Sequence, residues 1–529
     1  MMKTINGSIL KKALQNGANN LSNHKEYVNT LNVFPVPDGD TGTNMYLTFN
    51  GGITNIKDND ADKFSDISSS FSKGLLMGAR GNSGVITSQI FRGIAKYSKG
   101  KDELTTKELA EAFVKGSQTA YKAIMKAVEG TILTVIRESS EQALEEVNDD
   151  TTIEEYFDNL LAKAEVSLDN TPNLLPTLKE AGVVDSGGMG LVKILEGICK
   201  YFKGETIELK TDKNENKAED PKSYGYCFEG ILNLSDEYKK KFDMNILRDK
   251  LQKDGDLKLF RREEDSISIH VHSYQIGQAI DQCLRYGSFF KMKLENISVS
   301  HTTMFKKKDP KKYGIIAVSS GLGIDNVLRD CGVDTIISGG QTMNPSTEDF
   351  VSNIKELDNC KHIIVFPNNS NIIMAAKQAK DVLKDVDITV METKSVQACL
   401  SAISMFDFQG ELQDNIDVMN DIISTINTAS ITYAVKDTNF SGIEVKEGDF
   451  IAMKDKEILV ANKSRIETAK KLIDELNKLD GCLITVIYGE DVKEDEVKEL
   501  TDYISAATSL EINLIEGNQP VYSYLFGVE

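Results

Sequence analysis

Over residues 1–200 apolar positions recur at helical spacing and strand-type alternation is scarce. Leu109, Phe113, Tyr121 and Ile124 fall on roughly one face of a helix. Thr105-Thr106-Lys107-Glu108 ahead of them has the spacing of a capping box, hydroxyl first and carboxylate three residues on. A second helix is predicted from near Thr151, with Ile153, Phe157, Leu160, Leu161 and Ala164 repeating on one side. The pattern breaks at residues 203–223, a charged segment almost free of aliphatics in its second half, which predicts a linker. Mixed patterns follow over 224–305, where SISIHVHS at 266–273 alternates as a strand does. From Tyr313 short apolar runs at 314–320, 335–340, 362–369 and 387–392 alternate with helical stretches, the signature of a parallel α/β sheet. The turns Ser319-Ser320-Gly321, Ser338-Gly339-Gly340 and Pro367-Asn368-Asn369 are then expected at strand C-termini, where open sheets place ligands. Small polar residues are also what any strand-to-helix turn requires. Beyond about residue 430 come the strand-like segments ITYAV, DFIAM, EILVA and CLITVIYG, with a helix near 466–478. The basic run at 306–312 reads either as a solvated connector or as a docking surface.

The expected chain is therefore multidomain: an all-α domain at 1–202, the linker, an α+β domain at 224–305 and an α/β domain at 313–529. Its 529 residues, 40% hydrophobic, suffice for two to four cores. A net charge of -20 argues against nucleic acid and against anionic membrane surfaces as partners. The opening MMKTINGSIL has no signal-peptide core, and no apolar run is long enough to span a bilayer. Seven cysteines without paired spacing suit a reducing compartment, so a cytoplasmic protein is expected.

Candidate chemistry concentrates at glycine-rich loops. LNVFPVPDGDTGTNM, residues 31–45, sets Asp38 and Asp40 on an irregular turn ahead of a helix start. Two carboxylates so placed can converge on Mg2+, while Thr41, Gly42 and Thr43 offer the hydroxyls and N–H groups that cradle a phosphate. Alone, the same residues fit a surface turn equally well. GARGNSG at 78–84, AVEGTILTV at 127–135 and AGVVDSGGMG at 181–190 repeat the theme, so four segments point to one nucleotide site. Asn82, Ser83 and Gly84 present a hydroxyl and N–H groups to phosphates, and Gly81 and Gly84 permit close approach. Arg80 suits either a phosphate or a structural ion pair. Among the five histidines, His270 and His272 share one face of a strand. With Cys227 they make a donor set suited to Zn2+, and ordinary surface hydrogen bonding fits them too. His301 is a further candidate by composition, whereas His24 and His362 read as ordinary residues.

On the motif spanning Asn32 to Asn44 and the GARGNSG loop, the first 200 residues resemble the nucleotide-binding L-subunit domain of the dihydroxyacetone kinase family. The whole chain is similar to the bacterial fatty acid kinase catalytic subunits. That resemblance implies a helical barrel holding ATP at one end, with Mg2+ at Asp38 and Asp40 and with Thr43 and Asn44 beside the phosphates. It places Gly130, Thr131, Asp185, Ser186, Gly187 and Gly188 nearer the ribose and base. The dihydroxyacetone kinase pattern has a third aspartate where this chain has Asn32, a weaker and neutral ligand, which puts the number of Mg2+ ions in question. The resemblance further implies zinc at Cys227, His270 and His272, a homodimer, and a separate fatty-acid-binding protein that carries the substrate. No His or Cys lies in the nucleotide loops to act as a base. An acceptor that is already ionised, such as a fatty acid carboxylate, needs none. The alternatives are a kinase for dihydroxyacetone or a similar small hydroxylated substrate, and a non-catalytic nucleotide-binding regulator. A metal-dependent hydrolase centred on His270 and His272 stands further off.

Overall fold

The computed structural model describes residues 2–32, 39–124, 127–209, 226–235, 237–239, 241–263, 266–273, 275–296, 309–340, 344–434, 437–440, 443–454, 457–479 and 481–529. These fall into two compact units: Met1–Leu209 together with Asp309–Glu529, and Lys210–Lys308. Most of the expected linker, together with Asp38 and His301, lies outside the described residues.

The N-terminal part of the first unit is helical, as its periodicity predicts. Long helices run over Gly7–Leu31, Thr41–Ile56, Phe64–Gly78, Gly81–Tyr97, Thr106–Ala123, Ile132–Glu145, Ile153–Leu174 and Ser186–Phe202. The capping box forms, with the Thr105 and Glu108 side chains each bonded to the other's backbone N–H. Thr152 and Glu155 form a second one, starting the next predicted helix. Two three-residue strands, Thr4–Asn6 and Glu103–Thr105, pair antiparallel where no strand was expected. Edge-to-face packing of Phe49, Phe71 and Phe91, with centroids 5.1–5.4 Å apart, anchors the core. The first and last helices lie close enough that Asn16 Nδ2 donates to the Gly197 carbonyl at 2.8 Å. A Cβ on Gly197 would come within 2.7 Å of the Asn16 carbonyl oxygen, so only glycine allows that approach.

Among the described residues, the C-terminal part of this unit holds two larger sheets and an antiparallel pair, Thr438–Phe440 with Ile443–Val445. The first is parallel, in the order Ile388–Val390, Cys360–Phe366, Lys311–Ser319, Thr335–Ser338. All four strands overlap the predicted apolar runs. Lys311 and Lys312 are not connector residues: they begin a strand, and Lys311 pairs with Asp334 at 2.5 Å. The second sheet is mixed and six-stranded, ordered Glu457–Asn462, Phe450–Lys454, Asn427–Tyr433, Tyr524–Val528, Leu483–Tyr488, Glu511–Glu516. The helices Arg465–Leu476 and Glu494–Ala507 contribute buried leucines and isoleucines to its core.

The second unit is a four-stranded antiparallel sheet ordered Asp256–Glu263, Ser266–Ser273, Tyr226–Leu234, Gly287–Asn296, with helices Met244–Asp254 and Ile276–Leu284. This is the strand–helix–strand–strand–helix–strand order of a split βαβ fold. Ile267, Ile269 and Val271 fill the core, which puts His270 and His272 on the opposite face.

Candidate active site

Gly39, at φ +57°, precedes Asp40 and the helix Thr41–Ile56. Asp40 stands at the N-cap position yet its carboxylate makes no capping bond. It is only 8% exposed, and it accepts from Asn344 Nδ2 at 2.6 Å and from the Asn44 side chain. Desolvation pushes its pKa up, and the two amide hydrogen bonds pull against that. Thr43 is held by Asn29, whose Oδ1 accepts from the Thr43 N–H at 3.1 Å and whose amide donates to Oγ1 at 3.0 Å. At Gly42 a Cβ would lie 2.1 Å from the Lys25 carbonyl oxygen, so this glycine lets the first two long helices meet.

Arg80 and the start of the helix Gly81–Tyr97 lie against the first turns of the helix Thr41–Ile56. Gly81 has φ +60°, and a Cβ there would sit 2.7 Å from Asn44 Nδ2. At Gly84 it would be 2.3 Å from Thr48 Oγ1, the atom that also accepts from the Arg80 N–H at 3.1 Å. The helix Gly81–Tyr97, like Thr41–Ile56, starts without a side-chain cap. Two neighbouring helix starts thus leave N–H groups without intrahelical partners, an arrangement suited to an anion. Arg80 donates to the Asn344 carbonyl at 2.8 Å and faces Asp349 at 3.8 Å, so the structural pairing open in the sequence is present. Asn82 Nδ2 donates to Asn371 Oδ1 at 3.2 Å, and Ser83 is half-buried. Asn32 closes the first long helix, its N–H bonded to the Asn29 carbonyl.

The two remaining loops also converge. Asp185 caps the helix Ser186–Phe202, accepting from the Gly188 N–H at 2.7 Å, and it also accepts from the Ile132 N–H. Ile132 follows Gly130 and Thr131, and a Cβ on Gly187 would sit 3.3 Å from its Cβ. Desolvation pushes the Asp185 carboxyl up to about 6. Ser186 Oγ donates to Thr41 Oγ1 at 3.2 Å, joining this pair of loops to the first.

In the second unit Cys227 lies directly across from His272 in the strand register. Cys227 Sγ is 3.3 Å from His270 Nε2, which is 3.0 Å from His272 Nε2. The three donor atoms lie within 4.8 Å of one another. Two imidazoles and a thiol fit Zn2+ by donor chemistry. The imidazoles expected to be ordinary are hydrogen-bonded: His24 to the Asn20 carbonyl and His362 to Thr389.

Family models match along most of the chain: a DAK2 domain at residues 35–200, the middle domain of the FakA-like fatty acid kinase proteins at 223–304, and their C-terminal domain at 314–529. Two uncharacterized proteins of Staphylococcus aureus, from strains USA300 and MRSA252, are each 39% identical over 551 aligned residues, covering 100% of both chains. The chain belongs to the FakA-like fatty acid kinase family. Among solved structures, a DegV family protein of Corynebacterium glutamicum is 16% identical over 41% of this chain and 96% of its own, with a TM-score of 0.34. The dihydroxyacetone kinase of C. freundii is 9% identical over 41% of this chain and 48% of its own, with a TM-score of 0.32. Scores of that size leave both as weak likenesses.

For this FakA-like chain, sequence reasoning missed Asn29, Thr48, Asn344 and Asn371. Asn29 and Thr48 sit at helical spacing among other polar residues and carry no signal of their own. Asn344 and Asn371 follow turns singled out as ligand-facing, but nothing in the sequence ties them to Asp40 or Asn82. Those turns, at 319–321, 338–340 and 367–369, line one cavity of about 730 Å³, together with Lys394, Gln397 and Gln519.

Proposed function

We propose that this chain is an ATP-dependent fatty acid kinase, transferring the γ-phosphoryl group to a fatty acid carboxylate presented by a separate fatty-acid-binding protein. The observation that carries the reading is the pair of uncapped helix starts at Thr41 and Gly81, packed together beside the buried Asp40. The N–H groups at these helix starts, apart from that of Thr43, which Asn29 takes, bind and orient the phosphates together with the Ser83 hydroxyl. Gly130, Thr131 and Asp185 to Gly188 border the nucleoside end.

Asp40, with Asp38, would hold Mg2+, which when bound would supply positive charge against the transferring phosphates. The acceptor carboxylate is ionised at neutral pH, so an oxygen lone pair attacks the γ-phosphorus without a base. A new P–O bond forms, the bond to the β-phosphate oxygen breaks, and the products are acyl phosphate and ADP. Catalysis then rests on positioning and electrostatics, which matches loops without His or Cys. Cys227, His270 and His272 would hold Zn2+ as a structural tie in the middle domain.

The test incubates the purified chain with Mg-ATP and oleate, with and without the fatty-acid-binding protein, and traps acyl phosphate with hydroxylamine. Partner-dependent product is expected. Turnover of dihydroxyacetone in its place would transfer the proposal to a hydroxyl acceptor. ATP binding without transfer to either would leave a regulator.

A further inference from the structure

The kinase reading draws its phosphate loops from the helical region alone, yet the α/β region of the same unit is bonded to those loops at four points. Asn344 Nδ2 donates to Asp40 Oδ2 at 2.6 Å, and the Asn344 carbonyl accepts from Arg80 Nη1 at 2.8 Å. Asn371 Oδ1 accepts from Asn82 Nδ2 at 3.2 Å, and the Thr347 N–H donates to the Ala79 carbonyl at 3.2 Å. Beneath these bonds Ala79 and Val85 share an apolar cluster with Phe350, Val351, Ile354 and Ile372. Residues 79, 80 and 82 of one loop and the carboxylate of another are therefore set by a region more than 260 positions away.

We infer that the α/β region completes the kinase site within the same chain, and that Asn344 is a positioning residue for Asp40. The inference rests on the kinase reading above. Asn344 is only 2% exposed. An ionised carboxylate can only accept, so the Asn344 amide nitrogen is fixed toward Asp40 and its oxygen faces elsewhere. That oxygen is buried and has no partner among the described residues, and the same is true of Asn82 Oδ1. One region thus contributes one unsatisfied buried acceptor and the other region a second, at the same loop cluster. Acceptors left dry are costly unless a donor or cation reaches them. A hydrated Mg2+, which keeps several of its waters when bound, offers such donors. Asn344 accordingly does two things: its nitrogen holds the Asp40 oxygen in one orientation, and its oxygen accepts from the hydration shell of the incoming ion.

The test uses the full chain carrying Asn344→Ala or Asn344→Asp. Calorimetry reads Mg2+-dependent binding of AMP-PNP, steady-state kinetics reads kcat and KM, and a melting curve reports folding. Asn344→Ala is expected to raise the Mg2+ concentration for half-maximal binding roughly tenfold or more, the scale of a lost hydrogen bond to a charged group. Asn344→Asp keeps the shape and adds a negative charge beside Asp40, so it is expected to lower the Mg2+ requirement while still reducing kcat. A role confined to folding moves the melting curve and does not drive the Mg2+ requirement in opposite directions in the two variants. Binding and kcat unchanged in both variants overturn the inference while transfer by the wild type keeps the kinase reading. Opposite shifts of Mg2+ binding in the two variants, together with a wild type that transfers to no acceptor, have the reverse meaning. A wild type that binds no Mg–nucleotide removes both.

Discussion

Asp40 is a carboxylate that the fold keeps nearly dry, with two amides and no cation among its described partners. Such a group contributes little to stability by itself, because desolvation offsets what its hydrogen bonds return. Asp40→Ala should therefore cut phosphoryl transfer by about 100-fold or more, on the scale of losing a metal ligand or preorganised charge. Its melting temperature should stay within a few degrees of the wild type, a modest effect for a domain of this size. Wild-type turnover in that variant would remove Asp40 from the mechanism. Asp185 supports a prediction of different kind. Its carboxyl rises from 3.8 to about 6 on folding, so the native state binds the proton more tightly than the unfolded chain does. That contribution to stability is full below about pH 4 and disappears as pH climbs through about 6. Asp185→Asn, which keeps an oxygen for the Gly188 N–H, should gain on the wild type between pH 4 and pH 7. The gain is at most about 3 kcal/mol by the pKa difference. Parallel unfolding curves at the two pH values would contradict it.

Among the elements, the contact of the first and last long helices depends on missing methyl groups at Gly17 and, more tightly, at Gly197. Gly197→Ala gains about 1 kcal/mol of helix propensity but drives a Cβ into the Asn16 backbone, and such overpacking costs about 1–3 kcal/mol. A net loss of up to about 2 kcal/mol is expected in denaturant titration. An unchanged midpoint would mean that the helices move apart freely. In the second unit, Cys227→Ser should abolish zinc retention and lower the melting temperature of a preparation that carries zinc. Equal metal content in variant and wild type would dissociate this cluster from zinc. These elements differed in how plainly the sequence announced them. Ser266–Ser273 was legible because one face is buried and the other is not, so its residues alternate. Tyr524–Val528 was missed because it is short, lies close after Pro520, and buries Tyr524, Phe526 and Val528 completely at the middle of a sheet. The four glycine-and-hydroxyl segments were legible as a set, and the structure brings the starts of their helices together. The bond from Asn344 to Asp40 was not, since a polar turn looks the same whichever surface it meets.

On the scale of the whole molecule, the first unit is built from two stretches of chain that flank the second unit in sequence. The helical stretch carries the loops that look like a nucleotide site, and the α/β stretch contributes Asn344, Asn371 and the apolar floor under residues 79–85. The mixed sheet adds its own constraint, because its fourth strand in order, Tyr524–Val528, is flanked by Asn427–Tyr433 and Leu483–Tyr488. The order of synthesis then matters. A ribosome releases the glycine loops early and the strand that joins the two halves of that sheet almost last. A polypeptide abandoned before Tyr524 has every glycine loop and the parallel sheet beside them, but a mixed sheet left in two unjoined halves.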